Sequence, residues 1–137
     1  MTSGTRSVSN VLYVDTNIII YLLEDPSPFG TKIASRLEAI VSKGDTLISS
    51  TLLITEFLAG SPAGTLLNLQ LVPTLTFQDV NIAIANSAAL LQREHTLRIG
   101  DAIHLATAIS VKARRIYSND RKLIKIAALY LPVETDL

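Results

Sequence analysis

The sequence predicts an α/β domain built on a central, mostly parallel sheet. Three observations point there. Short apolar runs rich in Val, Ile and Tyr recur along the chain, each bounded by polar turn residues, as buried strands are. The longer segments between them carry apolar residues at spacings of three and four, the period of an amphipathic helix. The composition is 48% hydrophobic with four Tyr, three Phe and no Trp, and such a Leu, Ile, Val and Ala mixture packs well as layers of strands and helices.

Val11-Leu12-Tyr13-Val14 reads as the first buried strand. Asp15-Thr16-Asn17 ends it and caps a short helix over Ile18–Leu23, which Asp25-Pro26 stops. From Thr31 to Val41 the apolar positions Ile33, Leu37, Ile40 and Val41 define an amphipathic helix closed by Lys43-Gly44. Thr46–Ser49 is the second strand. Ser50 or Thr51 caps a helix over Leu52–Leu58 that carries Glu56. Gly60-Ser61-Pro62 breaks it, and a short helix runs on to Leu69. Leu71–Phe77 reads as extended, at an edge because of Pro73. Asp79–Glu94 is a long helix with Val80, Ile84, Ser87 or Ala88, and Leu91 as its buried stripe. Gly100-Asp101 opens another that runs to Lys112, with Ile103, Leu105, Ala106 and Ile109 apolar. Arg115–Ser118 is a strand, Asn119-Asp120 caps a last helix through Ala127, and Leu131-Pro132-Val133 adds an edge strand.

The chain has 137 residues, the size of one ordinary domain. Residues 10–137 are expected to form it, with residues 1–9 a flexible N-terminal tail. The absence of cysteine excludes disulfides, zinc–thiolate sites and cysteine nucleophiles, and fits a reducing cytoplasm. No uncharged apolar run reaches the roughly 18 residues of a membrane span. Net charge is zero, yet six of the twelve Lys and Arg residues, Lys112, Arg114, Arg115, Arg121, Lys122 and Lys125, crowd one window.

In a parallel sheet, ligands bind beyond the carboxyl ends of the strands. Four of the twelve acids reach that edge. Asp15 follows the first strand and Asp120 follows the Arg115–Ser118 strand. Glu56 lies on the helix after the second strand, and Asp101 sits in the first turn of its helix. Two like charges about 4 Å apart repel by roughly 4 kcal/mol at an effective dielectric near 20. A shared site therefore needs protonation or a cation. Oxygen ligands without Cys or paired His suit Mg²⁺ or Mn²⁺. Thr16, Asn17 and Ser118 carry donors able to orient the ligands. Taken singly, Asp15 and Asp120 also suit N-caps, Asp101 suits a first-turn acid stabilised by the helix dipole, and Glu56 suits a solvent-facing position.

At these residues the chain resembles the PIN-domain nucleases, and most of all the VapC-type toxins of type II toxin–antitoxin pairs. The motifs are Tyr13-Val14-Asp15-Thr16-Asn17, the Ser50–Glu56 helix start, Leu97–Ala106 around Asp101, and Tyr117-Ser118-Asn119-Asp120. They span roughly residues 11 to 135. Leu123 departs from the pattern, standing where the family often has an aromatic. The resemblance implies a three-layer PIN-like domain and metal-dependent endoribonuclease activity. It also implies a homodimer, a cognate antitoxin, and Asp15, Glu56, Asp101 and Asp120 as the metal and catalytic residues.

Arg98, Arg114, Arg115, Arg121 and Lys122 are the candidates for RNA phosphate contact, with a solvated surface as the alternative. His104 reads as a helix-packing residue and His95 as an exposed one near a helix end. A phosphatase with an Asp nucleophile is disfavoured, because Asn17 stands where such enzymes need a second Asp. The competing function is a catalytically inactive RNA- or protein-binding module of the same fold.

Overall fold

The computed structural model describes residues 10–24 and 28–137. The expected tail at 1–9 and the Asp25-Pro26 helix stop lie outside these residues. Five strands form one sheet: β1 (Val11–Val14), β2 (Thr46–Ser50), β3 (Thr76–Gln78), β4 (Arg115–Tyr117) and β5 (Val133–Glu134). All four pairings are parallel, and the spatial order is β3-β2-β1-β4-β5. The helices are α1 (Thr16–Glu24), α2 (Pro28–Ser42), α3 (Thr51–Gly60), α4 (Leu66–Gln70), α5 (Ile82–Glu94), α6 (Ile99–Ser110) and α7 (Arg121–Ala127).

Alternation along each strand divides the core in two. Leu12, Val14, Leu47 and Tyr117 face one side, where Ile18, Ile33, Leu37, Leu53 and Phe57 of α1, α2 and α3 cover them. Tyr13 and Ile116 face the other, under Ile84, Ala88, Leu105, Ala106 and Leu123 of α5, α6 and α7. The result is the expected three-layer α/β domain. A strand with both faces covered is apolar at every position, which is why Val11–Val14 shows no polar alternation.

The order of strands reverses at β1. From β1 the chain winds outward to β2 and β3, then crosses back to pair β4 on the other flank, with Val14 beside Tyr117. Such a reversal leaves a crevice between the carboxyl ends of two neighbouring strands, because their connections leave toward opposite faces. Asp15 and Ser118 are the first residues past those ends.

Several boundaries differ from the sequence expectation. α5 begins at Ile82 because the Asn81 side chain accepts from Ile84 N–H as N-cap. Asp79 and Val80 precede the helix, and Val80 stays 37% exposed. The extended stretch expected from Leu71 shrinks to Thr76–Gln78. Thr74 adopts a positive φ of 61°, which turns the chain, and its hydroxyl accepts from Leu47 N–H. α6 stops at Ser110 rather than Lys112, whose φ of 55° is left-handed, and Ile109 remains exposed. α2 starts at Pro28, a residue with no N–H to leave unpaired at a first helical position. Gly44, at φ +97°, turns α2 into β2.

Candidate metal centre at the carboxyl edge of the sheet

Beyond the ends of β1 and β4 lies a cleft of about 350 Å³ lined by Asp15, Thr16, Asn17, Ile20, Glu56, Arg98, Gly100, Asp101 and His104. Asp15 is its floor. The residue is buried, and its backbone N–H extends the sheet by donating to Tyr117 O at 3.0 Å. Its carboxylate accepts from Thr16 N–H at 2.8 Å and from the Ser118 hydroxyl at 2.9 Å. Burial pushes its pKa up; His104, Ser118 and Thr16 counter this, and Glu56 adds repulsion.

Glu56 reaches the cleft from α3, which Ser50 starts by accepting from Leu52 N–H. Its Oε1 accepts from Thr16 Oγ1 at 2.6 Å and from His104 Nε2 at 2.7 Å. Burial opposes its charge, but the bonds to His104 and Thr16 outweigh this and lower its pKa. A Cβ on Gly100 would meet Glu56 Oε2 at 2.9 Å. The missing side chain at position 100 is therefore what gives the carboxylate its room.

Asp101, in the first turn of α6, has a pKa raised by burial and by repulsion from Asp120 and Asp15, partly offset by Arg98. Asp120 caps α7 through Oδ1, accepting from Lys122 and Leu123 N–H, and leaves Oδ2 to Arg98. The Arg98 guanidinium, 77% exposed, bridges Asp101 at 3.4 Å and Asp120 at 3.2 Å.

The structure thus draws Asp15, Glu56 and Asp101 to one cleft and sets Asp120 at its rim, behind Arg98. Thr16 and Ser118 bond the ligand candidates directly, and Asn17 is exposed at the mouth. Arg121 and Lys122 are exposed on the first turn of α7, beside Asp120. Arg114 and Arg115 stand elsewhere, at the amino end of β4. Arg114 N–H bonds Val11 O, and Arg115 pairs with Asp45 and Glu134.

His104 is the residue whose position the sequence reading underestimated. It packs as expected, fully buried, but it also belongs to the acid cluster. Nε2 holds Glu56 and lies 3.9 Å from Asp15, while Nδ1 pairs with Tyr13 Oη at 2.6 Å. Burial works against its charge; the Glu56 bond and the charges of Asp15, Glu56 and Asp101 outweigh that and raise its pKa. The signal was its spacing of three from Asp101, which puts both on one helix face.

The donor set is carboxylate and hydroxyl oxygen, the chemistry of a hard divalent cation. Among the described residues no three His, Asp or Glu side chains already stand in ligating geometry. Arg98 pairs with Asp101 and Asp120, and His104 hydrogen-bonds Glu56, so the acids have partners within the chain.

A model of the PIN domain matches residues 12–129 of the chain. Comparison with curated proteins finds no match. Among solved structures, VapBC2 from Rickettsia felis bound to a promoter DNA fragment is similar with a TM-score of 0.72 at 18% identity, over 91% of this chain and 98% of that one. FitAcB from Neisseria gonorrhoeae gives 0.66 at 16% identity, over 89% and 95%. A toxin–antitoxin complex from Klebsiella pneumoniae gives 0.63 at 22% identity, over 81% and 88%. At these identities the likeness is one of fold.

Proposed function

This chain belongs to the PIN-domain family, and we propose that its acidic cleft is the active site of an endoribonuclease dependent on Mg²⁺ or Mn²⁺. One observation carries the reading. A buried Asp15 at the sheet's reversal point shares its cleft with Glu56 and Asp101, and burial and mutual repulsion raise the pKa of both Asp15 and Asp101. A fold that gathers carboxylates at a cost to their charged forms, where ligands bind, suits a divalent cation as a further partner.

Asp15, Glu56, Asp101 and Asp120 would hold the ion, which supplies an acidified water and neutralises charge on a phosphodiester. The protein's own part is orientation. Thr16 N–H and Ser118 fix the Asp15 carboxylate from two sides. Thr16 and His104 fix Glu56, and Tyr13 holds the far side of the His104 ring. Arg98 is exposed and paired with Asp101 and Asp120. With those acids engaged as ligands, its guanidinium would be available to pair a phosphate. Arg121 and Lys122 extend the basic character along the same edge.

The toxin role, a cognate antitoxin, a homodimer and a cytoplasmic setting belong to the same proposal. Their support is the likeness to VapBC2, FitAcB and the Klebsiella complex, and exposed Leu66, Leu67 and Leu71 at 54–73%, an apolar surface suited to a partner. Among the described residues no helix is long and apolar enough to cross a membrane. A small antitoxin encoded by the neighbouring reading frame, co-purifying on co-expression, is the expected companion.

The test is cleavage of a mixed RNA pool with Mn²⁺ or Mg²⁺, by the wild type and by Asp15→Asn. The wild type is expected to cut and to stop with a chelator. The variant should lose about a hundredfold or more, the scale of removing one charge-stabilising group from a site. Equal cutting by both sinks the site assignment. The rival reading, a non-catalytic RNA- or protein-binding module, is favoured by Arg98 and His104 already occupying the acids as partners. Salt-sensitive RNA binding without any cleavage would select it.

A further inference from the structure

Asp136 sits outside the acidic cleft, in the segment after β5, yet its side chain is fully buried. A carboxylate without solvent needs donors on every side. Here α2, β4 and the loop after β4 supply them. Arg36 of α2 donates from Nε to Oδ1 at 2.8 Å, Tyr117 of β4 donates its hydroxyl to Oδ2 at 2.5 Å, and Asn119 donates from Nδ2 to Oδ2 at 3.1 Å.

Asn119 returns the contact. Its Oδ1 accepts from Asp136 N–H at 2.8 Å and from Thr135 Oγ1 at 3.0 Å. Both ends of its amide are used, so its orientation is determined. One residue earlier, Ser118 N–H donates to Glu134 O at 3.1 Å. The loop Ser118–Asp120 is thus bracketed. On its cleft side Ser118 Oγ donates to Asp15 and accepts from Asp120 N–H at 3.0 Å. On its outer side residues 134–136 hold it by four hydrogen bonds, counted from Ser118 and Asn119 to that segment.

From this bracket we infer that Asp136 and Asn119 are positioning residues for Asp120. Asp136 anchors Asn119 to α2 and β4, and Asn119 fixes where the next residue presents its carboxylate. The inference rests on reading Asp120 as an ion ligand. It explains why a buried carboxylate, costly to assemble, stands 17 residues from a loop it binds. A lone surface segment could be tied down by apolar contacts at less cost.

The test uses the full chain and two readouts. Asp136→Ala and Asn119→Ala are each compared with the wild type by Mn²⁺ titration calorimetry and by amide hydrogen exchange. Asp45→Ala, which breaks the remote Asp45–Arg115 pair, serves as the stability control. Both test variants should weaken Mn²⁺ binding about tenfold, the effect typical of losing a supporting group. They should also speed exchange over Asn119–Lys122 while leaving Gly100–His104 unchanged. Asp136→Asn, which keeps an acceptor for Asn119, should recover part of the affinity. Unchanged exchange over Asn119–Lys122 in Asn119→Ala overturns the inference, as does an equal loss of Mn²⁺ affinity in Asp45→Ala. A wild type that binds no Mn²⁺ overturns the metal reading, and the exchange comparison still decides the bracket.

Discussion

The smallest residue in the cleft makes the sharpest claim about it. Gly100 lies inside a helix, without the positive φ that would demand glycine, and its missing Cβ is the space Glu56 occupies. In Gly100→Ala, better helix propensity contributes at most about 1 kcal/mol at this first-turn position, and the flexible end of Glu56 moves aside to relieve the contact. The expected outcome is an unchanged or raised melting temperature with cleavage down about a hundredfold, as for a ligand displaced by an ångström. A thermal melt and a rate measurement on one preparation check both. That Asp15, Glu56 and Asp101 share one cleft, with Asp120 at its rim, was legible in the sequence because each lies just after a strand or early in a helix at the sheet's carboxyl edge, which is a matter of order along the chain. The role of Asp136 was not. It reads as an ordinary acid near the end, and only the folded neighbourhood of Arg36, Tyr117 and Asn119 gives it work. His104 lay between these cases, since its spacing was visible but its apolar helix context favoured packing.

Elements follow the same division between local and tertiary signals. Strands β1, β2 and β4 were legible because apolar runs of their length have few alternatives. The start of α5 was misjudged by three residues because Asp79 and Asn81 are both good caps. The choice between them is settled by tertiary contacts. Val80 N–H lies 3.3 Å from Thr51 Oγ1 and Gln78 pairs with Ser50 in the sheet, which keeps the chain extended past Asp79. Asn81→Ala should therefore lower stability by about 1 kcal/mol, and Asp79→Ala should leave it nearly unchanged, by denaturant melts of the two variants. Equal losses would mean the helix begins earlier. Leu71–Leu75 was misread for a related reason: the positive φ at Thr74 has no glycine to announce it.

Over the whole molecule, charge placement sets a balance between stability and function. Asp101 has a folded pKa above its unfolded value. Its ionisation therefore works against folding at neutral pH, and this penalty fades as pH falls through the raised folded value, vanishing below the unfolded one. Metal-free Asp101→Asn should melt above the wild type at pH 7, and the gap should close in acid. Saturating Mn²⁺ should reverse the order, because only the intact set gains the full linkage term from binding. Thermal melts at two pH values, with and without the ion, contain all three comparisons. The central strand adds a kinetic consequence. β1 pairs with β4 across about a hundred residues, Leu12 beside Arg115, so its two flanks close at very different sequence separations, and such long-range parallel pairing is slow. During synthesis, a chain emerging from the ribosome can form the β1–β2 half early, but Asp15 gains its Ser118 donor, and the cleft its Asp120 rim, only after nearly the entire domain has been made. The order of translation thus leaves Asp15 and Glu56 without Ser118 and Asp120, and any cutting activity without its complete set of residues, until that late closure.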